Sequence, residues 1–127
     1  MNIQKIKSDL VMEELFFPEC TVSRAATIAS EHIDVDVNKK IVQTDAIRFE
    51  VTVTVDITKA SSDLNVHVVA KATFLFDAAD QTLVKQVIET NTVAIMFPFI
   101  RSQVSLLTTQ PGLTPIVLPP INTARFN

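Results

Sequence analysis

Ile47-Arg48-Phe49-Glu50-Val51-Thr52-Val53-Thr54-Val55-Asp56-Ile57 alternates without a break, apolar at every odd position and polar at every even one. Successive side chains on a strand point to opposite faces, so this run reads as a strand with one face on a core. Its β-branched residues reinforce the reading. Leu64 to Asp77 repeats the pattern on even positions, with Leu64, Val66, Val68, Ala70, Ala72, Phe74 and Phe76 apolar. Ile33, Val35 and Val37 alternate with Asp34, Asp36 and Asn38 in a shorter strand. Ile6, Leu10 and Met12 share one parity in a less regular first strand. The stretches Asn38 to Asp45 and Thr58 to Asp63 are short and mostly polar, so the strands they join are expected to run antiparallel.

After Asp80 the alternation stops. Asp80 is placed to cap a helix over Gln81 to Thr90, where Leu83, Val84, Val87 and Ile88 fall at helical spacing. A second helical stretch, from about Thr92 to Gln110, carries Val93, Met96, Phe97, Ile100, Val104 and Leu107. Pro98 is expected to kink it or to start a new helix. Pro111-Gly112 ends it, and Pro115, Pro119 and Pro120 make the tail extended. Strands first and helices last give an α+β fold: a four-stranded antiparallel sheet with helices packed on one face. At 127 residues the whole chain, 1–127, is expected to be one domain.

Composition excludes several chemistries. A single glycine, Gly112, leaves no glycine-rich loop for a dinucleotide or a phosphate. One cysteine, Cys20, allows no internal disulfide, and two histidines, His32 and His67, do not make a zinc site of the usual kind. No metal and no cofactor are expected. The net charge is −3 and the only basic run is Lys39-Lys40, so nucleic acid is not an expected partner. The N-terminus lacks the apolar core of a signal peptide. The longest apolar run, Val93 to Ile100, is eight residues, where a membrane span needs about 18. A cytoplasmic protein without membrane insertion is expected.

Nothing points to catalysis. Asp34 and Asp36 share the polar face of a strand, where solvated carboxylates are ordinary. His67 alternates with Asn65 and Lys71 on a polar face, with no serine or cysteine placed to be activated. Cys20 reads as an inert thiol, since no basic residue except Arg24 is near enough in sequence to activate it. The aromatics say more: all eight are Phe. Phe16 and Phe17 are adjacent, so on a strand one of them cannot reach the main core, and an exposed Phe beside Pro18 suits an interface or an apolar groove. Phe16, Phe17, Leu118 and Ile121 lie outside the alternation that fills the core, and they are the candidate lining of a polypeptide groove or an interface. Arg101 follows Phe97 by one turn. Burying its guanidinium alone would be costly, so it is expected to pair with a carboxylate or to bind backbone carbonyls near the tail. Phe97, Pro98, Phe99 and Arg101 are therefore read as structural.

The run Ile95-Met96-Phe97-Pro98-Phe99-Ile100-Arg101, with Leu118-Pro119-Pro120-Ile121-Asn122 after it, resembles the SecB export chaperones. Members of that family carry Phe-Pro-Tyr-x-Arg in the first helix and Leu-x-Pro-Val-Asn-Phe after a proline-rich loop. The segment Phe49 to Thr54 is similar to the family's third strand, and Ile3-Gln4-Lys5-Ile6 with Asp9-Leu10-Val11-Met12-Glu13 is similar to its first. The chain also resembles a short uncharacterised bacterial family sharing this fold.

The resemblance implies an oligomer, a dimer or a tetramer, that holds unfolded or partly folded polypeptide in apolar grooves without ATP. It also makes Asp9 and Glu13 candidate contacts to a translocase motor. Asn65-Val66-His67 stands where the family has Leu-x-Glu, and Val93-Ala94 where it has Pro-Asn. The chain stops at Asn127, where the family continues into a second long helix and a docking tail. These departures count against an export role. The alternative is an oligomeric adaptor, or a single-client chaperone, binding one folded partner. A small-molecule site in the same groove is a third reading.

Overall fold

The structure is a computed structural model, and it describes residues 10–26, 33–59, 63–111 and 115–118. Among the described residues four strands, β1 (Val11–Arg24), β2 (Asp34–Gln43), β3 (Arg48–Thr58) and β4 (Leu64–Leu75), precede one helix, α1 (Gln81–Thr108). The strands form one antiparallel sheet in the order β1-β4-β3-β2, so the first strand joins the sheet beside the last. The fold is the expected α+β sheet with helix on one face.

β3 and β4 are the central strands, and their alternation survives intact. Phe49, Val51, Val53, Val55 and Ile57 face α1 from β3, and Leu64, Val66, Val68, Ala70, Ala72 and Phe74 face it from β4. Ala70 and Ala72 are small, which lets the helix lie close to the middle of the sheet. α1 has 28 residues, about 42 Å at the usual rise. That matches the length of β4, about 40 Å by the same arithmetic for a strand.

β1 is where simple alternation fails. Its core-facing residues are Leu10 and Met12, then Leu15 and Phe17, then Cys20 and Val22, so the inward parity changes twice. Each change coincides with a register shift against β4, one between Met12 and Glu14 and one between Phe16 and Glu19. Each shift sets one extra residue of β1 against β4, which is a β-bulge. The bulges keep every apolar side chain inward although the sequence drops out of step. Pro18 sits in the second bulge of an edge strand, a position where its missing N–H is tolerated. Ile6, expected on this strand, lies outside the described residues.

Two expected boundaries are corrected. The stretch Asn38 to Asp45 is not a connection: β2 runs on to Gln43 and the turn is 44–47. The Asp45 carboxylate accepts from the backbone N–H of Ile47 and Arg48 at 3.0 and 2.9 Å, and this local turn replaces the longer loop. The two expected helices are one. Pro98 withdraws the bond to the Ala94 carbonyl, at a cost of about 3 kcal/mol in a helix interior. Val93, Met96, Phe97 and Ile100 nevertheless bury on both sides of it, and that burial holds the helix in one piece. Asp80 is the N-cap, its Oδ1 accepting from Thr82 N and Leu83 N at 2.9 and 3.3 Å. Inside the helix the buried Thr92 and Thr108 hydroxyls donate one turn back, to the carbonyls of Ile88 and Val104.

Candidate polypeptide-binding surfaces

The tail passes over the far end of α1 and is fastened there. Arg101 Nε donates to the Leu118 carbonyl at 3.0 Å, Ser105 Oγ to the Ile116 carbonyl at 3.3 Å, and Ile116 N donates to Thr108 Oγ at 2.7 Å. Residues 115–118 alternate like a strand: Leu118 is only 1% exposed, Ile116 packs against the core, and Val117 is 66% exposed. Arg24 Nη1, at the end of β1, donates to the Thr108 carbonyl at 2.8 Å, so the edge strand and the helix end share this fastening.

Among the described candidate groove residues, Phe16 stands apart from Phe17 and Leu118. Phe16 is exposed on the open face of the sheet, and Phe17 packs against the core on the opposite face. Leu118 is inside the core, and Ile121 lies outside the described residues. Of the four residues read as structural, Phe97 is buried, whereas Pro98 and Phe99 face outward. Glu13 accepts from Arg48 Nε at 3.1 Å on the open face, and Asp9 lies outside the described residues.

Two apolar surfaces emerge instead. The outer side of α1 carries Ile95, Phe99 and Leu106, which share a helical face and are all exposed, with Val117 beside them. An open groove runs along Pro98, Arg101, Ser102, Leu106 and Val117. The second surface lies between the outer edge of β2 and the first turns of α1. It is a groove of about 330 Å³ with Ile41, Phe49, Val84 and Ile88 on its walls and Gln43, Lys85 and Glu89 at its rim. Lys39, on the same parity of β2 as Ile41, donates from its Nζ to the Glu89 carbonyl at 2.6 Å. Burial lowers the pKa of this ammonium, against the pull of the Glu89 carboxylate.

β2 itself is regular. Ten successive residues, Asp34 to Gln43, pair with β3 without a register shift. Its other edge pairs with no strand among the described residues. β1, the other edge, is bent by two bulges and a proline, the usual devices that keep an edge from accepting a further strand.

The open face of the sheet is a lattice of charges: Arg48 with Glu13 and Asp45, Lys71 with Glu50, and His67 with Asp56 and Glu19. Among the described residues no three His, Cys, Asp or Glu side chains are grouped to hold a metal ion.

The family model described as "Preprotein translocase subunit SecB" matches residues 2–126. The chain belongs to the SecB family. Its fold is similar to the Mycobacterium tuberculosis SecB-like chaperone solved in complex with a ChAD peptide from the HigA1 antitoxin. The TM-score is 0.69 and the identity 13%, with 91% of this chain and 90% of that chain covered. It is also similar to a Streptococcus agalactiae protein of unknown function, with TM-score 0.51 and identity 9% over 87% of this chain and 96% of that one. In sequence it is 38% identical to an uncharacterised protein of Methanocaldococcus jannaschii over 69 residues, which are 54% of this chain and 43% of that protein. The chain thus matches under half the length of that relative.

For a SecB-family chain, the groove under β2 combines the two things an extended peptide needs. Its outer edge pairs with no strand among the described residues, and its apolar walls can accept alternate side chains. The sequence reading missed this groove because Ile41 fell in a presumed loop. It also missed the α1 stripe, although Ile95, Phe99 and Leu106 are spaced by four and seven residues and so share a helical face.

Proposed function

We propose that the protein is a cytoplasmic chaperone of the SecB type that holds non-native or partly folded polypeptide in extended form, without ATP or cofactor. The observation that carries this reading is the unbroken edge of β2 lying along an apolar groove. A segment added to β2 gains main-chain hydrogen bonds from the edge and buries every second side chain against Ile41, Val84 and Ile88. The SecB-like neighbour holding an antitoxin peptide supports polypeptide as the ligand. The exposed stripe of Ile95, Phe99 and Leu106 is where a second copy packs, since a face this apolar is normally covered in a soluble protein. Docking on a translocase motor is not part of this reading, because Glu13 is already held by Arg48.

The test is suppression of aggregation of a denatured protein at several-fold excess. Ile41→Glu should abolish it while sedimentation still gives the wild-type oligomer. Phe99→Ser should instead shift sedimentation towards the monomer. If the wild type suppresses nothing and a pull-down returns one stoichiometric folded partner, the adaptor reading takes its place.

A further inference from the structure

His67 stands at the middle of the open face, on β4, directly opposite Asp56 of β3 and Thr21 of β1. Its Nδ1 lies 2.6 Å from Asp56 Oδ1, and its Nε2 lies 3.7 Å from Glu19 Oε2 on β1. One ring thus touches carboxylates on both neighbouring strands. Glu19 closes the second bulge, where Phe17 and Pro18 interrupt the β1–β4 register and Pro18 has no N–H to give. The side-chain contact stands where the backbone ladder is weakest.

We infer that His67 is a proton-operated clasp that fixes the bulged edge strand β1 to the centre of the sheet. With both nitrogens protonated, the ring donates to Asp56 and attracts Glu19. When it loses a proton, the short Asp56 contact keeps the hydrogen on Nδ1. Nε2 is then a lone pair facing the Glu19 carboxylate, and attraction turns to repulsion on the β1 side alone. Opening lets β1 part from β4 around Glu19–Val22, and Cys20 and Val22, which pack against the core, become reachable.

The other charged groups on this face leave the direction unchanged. Asp36 of β2 stands opposite Asp56 and adds negative charge, while Lys71, four residues along β4, has its ammonium on Glu50 at 3.3 Å. The His67 pKa is raised above its ordinary value, first by the hydrogen bond to Asp56 and then by the charges of Asp56 and Glu19, against a desolvation that lowers it. A raised folded-state pKa means the clasp is fully closed below the unfolded value, about 6.5, and opens as pH rises through the folded one.

Cys20, the chain's one cysteine, is a built-in reporter beside Glu19. Its thiol labelling rate, divided at each pH by the rate in the denatured chain, measures opening of β1. In the wild type this protection should fall about two- to fivefold between pH 6 and 9, the range expected for a partly exposed ion pair. Glu19→Gln should flatten the profile, and His67→Gln should do the same. In an NMR titration the His67 midpoint should stay above the ordinary value in Glu19→Gln and drop in Asp56→Asn. Wild-type protection independent of pH, or a pH dependence that survives in Glu19→Gln, would overturn the inference. If His67→Gln does not fold, Glu19→Gln decides alone, since that carboxylate is largely exposed.

Discussion

Replacing Leu118 by Ala tests whether the tail is part of the core or merely lies across it. Leu118 is 1% exposed although it belongs to no helix or strand, and its carbonyl is held by Arg101. Truncating a buried leucine costs about 2–5 kcal/mol, set by how far the surroundings relax into the space left. A tail segment relaxes more readily than a strand, which places this site near about 2–3 kcal/mol. For a chain of this size each kcal/mol moves the melting temperature by about 3–5 °C, so a fall of about 6–15 °C is expected. Leu106→Ala is the control: its side chain is 70% exposed, and the change should stay within about 0.5 kcal/mol. Both are read by circular-dichroism melts at one protein concentration, because self-association would otherwise make the midpoints depend on it. If the two variants melt together, Leu118 is not in the core and the fastening of the tail is an incidental contact.

Asp80→Ala removes the acceptor of two backbone N–H groups at the start of α1, and urea unfolding should show a loss of about 1 kcal/mol, with Asp80→Asn largely retaining stability. Pro98→Ala restores a donor to the Ala94 carbonyl on the outer side of the helix, and the melting temperature should rise. A fall would mean that the proline ring itself is packed in the assembled protein.

How far the sequence was legible follows from where its period stays constant. β3 and β4 keep one parity from end to end, so their faces and the core they build could be assigned in advance. β2 reads as shorter than it is because Lys39 stands on its inward parity. A lysine there breaks an apolar alternation, and the Glu89 carbonyl that receives its ammonium accommodates it. Pro98 suggests two helices because proline disfavours a helix locally, whereas the sheet contacts flanking it act over a longer range. The division of Phe16 and Phe17 between two faces was legible, being a property of any strand. The burial of Leu118 is not: an extended tail has no period of its own, and its inward residue is chosen by three hydrogen bonds between tail and helix.

The bulges of β1 act like punctuation in a reading frame. In β3, removing one residue such as Val53 would send every later side chain to the wrong face, turning Val55 and Ile57 to solvent and Asp56 to the core. In β1 the frame is already broken twice and repaired twice. Glu13, and one residue of the Phe17-Pro18 pair, are surplus to the alternation. Without Glu13, Met12 and Leu15 would still face inward on a straight strand. The edge that carries Glu19, Phe16 and the contacts with His67 is thus the part of the sheet whose length can drift by a residue while the core remains as it is.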